Sequence, residues 1–173
     1  MSDSIQSFSD EDAKLAALLC KLDLTTEMVR EFPDLQGIYG EIIALGHGVN
    51  PVVAAAIREH YLPRYAGDAL PETPLGLKLS LMDKLYSLVG FLGIGLKPNG
   101  SKDPYALRRK AIGIIRLIEK DPSYDLEKLT RKVILEYYNR MGEEKFYETF
   151  AENTFDLVID FIHERKTHYY KSK

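Results

Sequence analysis

Thr73-Pro-Leu-Gly-Leu-Lys-Leu-Ser-Leu-Met-Asp83-Lys-Leu-Tyr-Ser-Leu-Val-Gly-Phe-Leu92 is the stretch that decides the fold class. It opens on a capping threonine and a proline, whose missing amide is no loss at the first helical position. Leu77, Leu81, Leu85, Leu88 and Leu92 then recur at helical spacing, which predicts a long helix with one apolar side. The same cap-then-proline signal stands upstream at Asn50-Pro51 and downstream at Asp103-Pro104, predicting helices to about Tyr61 and to about Lys120.

Further out, Ser9 followed by Asp12 predicts the cap of a helix from Asp10 to about Leu22, with Leu15, Leu18, Leu19 and Leu22 as its buried stripe. Phe32-Pro33 interrupts the next segment, so a short helix is expected over Thr26 to Glu31 and another from Pro33 to about Leu45. Asp125 starts a helix to about Met141, and a last one runs from Glu143 to Tyr170 with a break near Asn153. Sustained alternation of apolar and polar residues is absent, as are hairpin dipeptides between strand-like runs. The fold class is all-α, a bundle of about seven to eight helices.

A chain of 173 residues with 45% hydrophobic content supports one core. Its net charge of -3 argues against non-specific nucleic-acid binding by the whole surface but leaves room for a local basic patch. Cys20 is the single cysteine, which excludes an internal disulfide and a cysteine zinc cluster. No apolar run of about 18 residues and no signal peptide is present, so a membrane span is not expected and a cytoplasmic protein is. Residues 1–9 read as a flexible tail.

Chemistry first suggests itself at Glu59, His60, Asp68 and Asp83, because carboxylates and an imidazole are ligands for a divalent metal and bundles build such sites from facing helices. The plainer reading of these residues is structural. His60 then sits near a helix end, where its charge suits the dipole, and Asp83 pairs with Lys84 or Lys78.

The order of these segments resembles the HD-domain superfamily of metal-dependent phosphohydrolases. In that family a helix ending in Leu-Leu-His-Asp gives the signature metal ligands, a later helix a histidine and a still later one a closing aspartate. Here Leu18-Leu19-Cys20-Lys21 stands where the signature pair belongs, with His60 and Asp83 at the two later places. A lysine in place of a ligand is severe, since an ammonium about 4 Å from a dication is repelled by roughly 8 kcal/mol at an effective dielectric of 20. The expectation is a dismantled metal site in which Cys20, Lys21, Glu59, His60 and Asp83 make internal contacts, with Lys21 taking the place of the metal charge. A stoichiometric divalent ion in the purified protein would refute it.

A more extensive resemblance rests on five blocks in order: Lys21-Leu-Asp23-Leu-Thr-Thr-Glu-Met28, Glu31-Phe-Pro-Asp-Leu-Gln-Gly37, Glu59-His-Tyr-Leu-Pro-Arg-Tyr-Ala-Gly-Asp68, Asp83-Lys-Leu and Gly100-Ser-Lys-Asp-Pro-Tyr-Ala-Leu-Arg-Arg109. They are similar to the β subunit of the bacterial two-subunit glycyl-tRNA synthetase over roughly Ala17 to Leu117. The resemblance implies a degenerate HD-like core over residues 10–120 and a helical extension over 121–173, both part of a longer polypeptide. It also implies that ATP, Mg and glycine activation belong to the α subunit. This segment would then have no catalytic residue, metal or cofactor of its own. Its partners would be the α subunit, the remainder of β and glycine tRNA, with no DNA and no membrane.

Lys97, Lys102, Arg108, Arg109, Lys110 and Arg116 cluster in a glycine-rich loop and the helix it opens, and Tyr105 offers a ring to a base. Amides at the start of that helix suit a phosphate, and adjacent arginines suit forked phosphate contacts. Asp103 opposes a phosphate there, and a solvated helix face is the plainer reading. The chain's end is also basic, through His163, Arg165, Lys166, His168, Lys171 and Lys173, with Tyr169 and Tyr170 among them. Helix-end charge placement, an RNA surface and an interface all fit it. Against the synthetase reading stand a phosphohydrolase with an unusual metal site and a purely structural scaffold.

Overall fold

The computed structural model describes residues 8–100 and 102–171. Among them are nine α-helices, two short 3-10 turns and no strand, so the all-α class holds. Most of the expected tail, residues 1–7, lies outside the described residues, as do Ser101 and Lys173. Contacts group the chain into two compact units, one formed up to residue 63 together with 67–82, the other by 64–66 together with 83 onward.

In the first unit, α1 (Asp10–Leu19) begins with the expected reciprocal cap. The Ser9 hydroxyl accepts from the Asp12 amide at 3.0 Å, and the Asp12 carboxylate accepts from the Ser9 amide at 2.9 Å. The helix stops three residues before the expected Leu22, and a 3-10 turn over Leu22–Thr25 follows. The expected buried stripe is also corrected. Leu15, Leu18 and Leu22 are 38%, 74% and 53% exposed, whereas Ala16 and Cys20 are buried. Helix α1 packs on α4 (Pro51–Glu59) through small side chains, Ala16 beside Val53, Ala54 and Ala56, and this close approach turns the leucines outward.

After α2 (Glu27–Glu31) the expected helix from Pro33 to Leu45 divides into a 3-10 turn, Pro33–Leu35, and α3 (Ile38–Gly46). Gly37 is the reason. Its φ is +80°, and a Cβ there would lie 2.8 Å from the Tyr61 ring and 2.9 Å from the Arg58 carbonyl oxygen. Asn50 caps α4 as expected, its side chain accepting from the Val52 amide at 3.1 Å with Pro51 in the first turn.

Helix α5 (Pro74–Gly93) carries the leucine repeat that decides the fold class, and Leu77, Leu81, Leu85, Leu88 and Leu92 are all buried. Thr73 caps it, its hydroxyl accepting from the Gly76 amide at 3.0 Å. Residues from 83 onward belong to the second unit. There α6 (Leu107–Lys120) packs on α9 (Thr154–Lys171), and α7 (Leu126–Met141) packs on α8 (Glu143–Thr149) and α9. The break expected near Asn153 is present between α8 and α9, where the Ala151 amide donates to the Gly93 carbonyl at 2.8 Å.

The start of α6 differs from the expected Asp103-Pro104. Ala106 takes a left-handed conformation, φ 55°, and the helix begins at Leu107. Asp103 acts from a distance, its two carboxylate oxygens accepting from the amides of Leu107 at 2.8 Å and Arg108 at 3.0 Å. Among the described residues no helix is long and apolar enough to cross a membrane.

Candidate functional site

His60 is the residue that ends α4, and its side chain is fully buried. Its Nδ1 lies 2.6 Å from the Ile57 carbonyl oxygen, an acceptor only, so Nδ1 carries the proton. Nε2 is left with a lone pair, and the Lys21 Nζ donates to it across 2.8 Å. The same ammonium lies 4.4 Å from the centre of the Tyr61 ring, an additional attraction for a cation, and the Tyr61 and His60 rings are 3.9 Å apart. Lys21 gets there because α1 has already ended and its backbone has left the helical path at φ -112°. The lone pair a metal would need is bonded to a lysine.

The neighbouring acids are committed as well. Glu59, 2% exposed, accepts from the amides of Glu72 at 3.1 Å and Thr73 at 3.0 Å and from the Thr73 hydroxyl at 2.6 Å. It therefore fastens the end of α4 to the start of α5. Gly76 makes room for it, since a Cβ there would fall 2.1 Å from Glu59 Oε2. Asp68, buried, accepts from the Ala69 amide at 3.0 Å. The Cys20 thiol, also buried, donates to the Ala17 carbonyl at 3.3 Å. Asp83 belongs to the second unit. There it lines a cavity of about 500 Å³ together with Tyr86, Phe91, Tyr137 and Phe150. Among the described residues no three His, Cys, Asp or Glu side chains gather as a metal-ligand group.

Asp23 belongs to the same cluster and was not among the candidates from sequence. It is 2% exposed, and its carboxylate accepts from the Gly37 amide at 2.6 Å and the Tyr61 hydroxyl at 3.3 Å. It holds the turn that starts α3 against the end of α4. Asp23 stands in the first of the five resemblance blocks, but neither periodicity nor spacing assigns it a partner.

The basic candidates lie in the second unit. Lys97, Lys102 and Arg109 are exposed, and Arg108, Lys110 and Arg116 are half-buried. Asn99 and Lys102 exchange backbone hydrogen bonds at 3.1 and 2.9 Å, closing the glycine-rich loop. Tyr105 is already stacked on Phe91, ring centres 4.2 Å apart and planes 16° from parallel, and is 41% exposed. A guanidinium N–H of Arg116 donates to the Tyr65 carbonyl at 3.4 Å. The amides proposed for a phosphate at the start of α6 include those of Leu107 and Arg108, and Asp103 occupies both. That expectation is corrected. Phe91, as the platform beneath Tyr105, was missed because it read as one more apolar position of α5.

At the chain's end, His168 lies 3.8 Å from the Glu164 carboxylate, Arg165 pairs with Glu164, and the Tyr170 hydroxyl donates to Glu119 of α6. His163, Lys166 and Lys171 are exposed. Burial raises the hydroxyl pKa of Tyr86 and of Tyr137, the latter donating to the Tyr86 carbonyl at 3.1 Å.

Over residues 1–173 the chain matches the family described as glycyl-tRNA synthetase beta subunit. It is 46% identical over 156 residues to the beta subunit of glycine–tRNA ligase from Syntrophomonas wolfei, covering 90% of this chain and 22% of that protein. The Delftia acidovorans beta subunit is also 46% identical over 156 residues, 90% of this chain and 21% of the relative. The Acinetobacter baumannii one is 50% identical over 135 residues, 78% of this chain and 20% of the relative. The chain thus spans about a fifth of the length of these relatives.

Proposed function

This chain belongs to the glycyl-tRNA synthetase beta subunit family, and we propose that it is a non-catalytic, HD-like helical domain of that subunit. It supports the ATP-dependent attachment of glycine to its tRNA through tRNA contact and subunit assembly, in the cytoplasm. ATP and Mg act at the α subunit, and this segment binds neither. Its partners are the α subunit, the remainder of β and glycine tRNA. In this reading residues 10–120 are the degenerate HD-like core and 121–173 its helical extension.

The observation that carries the non-catalytic part is the Lys21 ammonium on His60 Nε2 at 2.8 Å. A cation held on the lone pair satisfies the imidazole internally and repels a metal from the same place. Glu59, hydrogen-bonded three times to the start of α5, has its carboxylate committed to folding.

Support for tRNA contact is narrower. Lys97, Lys102 and Arg109 are exposed around a loop whose glycines Gly95 and Gly100 take φ +81° and +54°. The outer face of Tyr105, backed by Phe91, is a preformed stacking surface, and exposed cations beside an aromatic platform suit single-stranded RNA. Arg108, Lys110 and Arg116 flank it at half-buried positions.

The test is an anisotropy titration of the chain with glycine tRNA and an unrelated tRNA at two salt concentrations. Tighter binding of glycine tRNA is expected. Lys102→Ala with Arg109→Ala should weaken binding of both and flatten the salt dependence by about one counterion for each phosphate no longer neutralised. A scaffold role is the second reading, favoured by Asp103 on the α6 amides and by Arg116 on the Tyr65 carbonyl. It predicts affinity and salt slope unchanged by the double variant.

A further inference from the structure

The cavity of about 500 Å³ that Asp83 lines lies wholly within the second unit. Its walls carry four aromatic rings, Tyr86 and Phe91 from α5, Tyr137 from α7 and Phe150 from the end of α8. Those facing one another across it are tilted. Tyr86 and Tyr137 have ring centres 5.7 Å apart and planes at 50°, Tyr137 and Phe150 5.0 Å and 43°. Two glycines of α5 allow this approach, since a Cβ on Gly90 would fall 2.5 Å from the Tyr137 hydroxyl oxygen and one on Gly93 2.4 Å from the Phe150 ring. The Tyr137 hydroxyl donates to the Tyr86 carbonyl at 3.1 Å, and the Ala151 amide beside Phe150 donates to the Gly93 carbonyl at 2.8 Å. The walls are thus fixed by the fold itself, and the volume is that of a small-ligand site.

The chemistry of these walls favours a positive charge. An aromatic face is the negative side of its quadrupole, and rings set at angles present such faces to one compact cation from several directions. A flat base is better served by a parallel face, and the Phe91 ring already gives one to Tyr105. Asp83 is the one charged residue among those lining the cavity, and no lysine or arginine lines it. Just outside, Glu136 and Arg140 are paired at 2.7 Å. Burial raises the Tyr86 hydroxyl pKa first and Glu136 next, with Arg140 opposing less strongly, whereas at Tyr137 Arg140 alone opposes burial. A phosphate would meet both Asp83 and the ring faces, each of which repels it. Met141 and Ile94 add apolar surface for an alkyl stem.

We propose that this cavity binds an organic cation, an alkylammonium or guanidinium group, with the faces of Tyr86, Tyr137 and Phe150 around the charge and the Asp83 carboxylate as its counter-charge. A free quaternary ammonium compound and a lysine or arginine side chain of another polypeptide both offer that group. The inference does not rest on tRNA contact.

The test titrates the 173-residue chain with choline and with its neutral isostere 3,3-dimethyl-1-butanol, followed by the ring-proton NMR shifts of Tyr86 and Tyr137. Choline is expected to bind about tenfold more tightly, the cation–π and carboxylate contributions being absent from the isostere. Asp83→Asn keeps the shape and removes the charge, so it should weaken choline about threefold and leave the isostere unchanged. Tyr86→Leu should weaken choline roughly three- to tenfold, while the same change at the exposed Tyr147, outside this cavity, should have no effect. Equal affinity for choline and isostere overturns the proposal without recourse to any variant. So does choline binding unchanged in both cavity variants, or adenosine or cytidine moving the same rings at lower concentration than choline, which would make this a base site. Nα-acetyl-lysine and Nα-acetyl-arginine methylamides distinguish the sources: tighter binding than choline supports a protein side chain as the ligand, and weaker binding supports a free ammonium compound.

Discussion

The two units differ in how many acidic and basic side chains they take inside, Asp23, Glu59, His60 and Asp68 in the first against Lys84 in the second among the described residues. In the first, the buried Asp23, Glu59 and His60 each fasten a chain segment, Asp23 to Gly37, Glu59 to Thr73 and His60 to Lys21, while acids such as Glu31 and Asp34 stay exposed. Large apolar side chains such as Leu18 and Ile42 are left outside. In the second unit the arrangement is more ordinary. Apart from the buried Lys84, its interior is mainly leucine, isoleucine and packed aromatics, including Tyr137 tilted on Phe150 at 5.0 Å and Phe146 stacked on Phe150 at 4.8 Å, while Lys97, Lys102 and Arg109 face solvent. The difference teaches how to read residues of catalytic type. Where every donor and acceptor is committed to the chain itself, Glu and His are fasteners, however closely their order resembles an active site.

The largest effect that would break this comparison is at Glu59. Glu59→Ala removes the acceptor for two amides and a hydroxyl inside the first unit, and we expect a loss of about 3–4 kcal/mol, read from the urea midpoint. A loss below about 1 kcal/mol, as a free surface acid would give, contradicts the fastening role. Gly37→Ala follows, because a Cβ at φ +80° meets Tyr61 and the Arg58 carbonyl; about 2–3 kcal/mol is expected. Lys21→Met leaves His60 Nε2 buried without that donor and should cost about 1–3 kcal/mol.

In the second unit, Asp103→Ala frees the Leu107 and Arg108 amides and should cost about 0.5–2 kcal/mol, the range for loss of a helix cap. If the same variant also tightens tRNA binding, the amides it uncovers are reachable by phosphate and the RNA reading is sharpened. The smallest effect is one of pH. Asp12 is held below the usual carboxylate range, first by the Ser9 amide and then by its hydroxyl. A depressed carboxylate pKa adds stability above its unfolded value, and that increment disappears as pH falls through the folded one. Ser9→Ala removes the hydroxyl and keeps the amide, so it should flatten the acid limb of a pH–stability curve only in part and lower the neutral plateau by no more than a cap's share.

Much of the fold was legible because the caps are local chemistry. Ser9 with Asp12, Asn50-Pro51, Thr73 and Asp125 each announce a helix within four residues, and the structure places helices at all of them. What failed depended on distant partners. The burial of Ala16 instead of Leu18 is decided by the small residues of α4, and the break at Gly37 by Tyr61 and Arg58. The shift of the α6 start to Leu107 follows from Ala106 turning left-handed while Asp103 reaches forward. Among the site residues, Lys21 beside His60 followed from reading a metal site with a ligand replaced. Asp23 and Phe91 carried no pattern that separates them from a surface acid and a core aromatic.

The central claim is that the histidine and acids of the first unit are internal fasteners, and the measurement closest to it is the nitrogen NMR spectrum of His60 with and without a divalent metal. The structure predicts a proton on Nδ1, an Nε2 lone pair whose shift moves in Lys21→Met, and no change when zinc or manganese is added at one equivalent. A proton on Nε2, or a stoichiometric metal-induced change at that nitrogen, would contradict it.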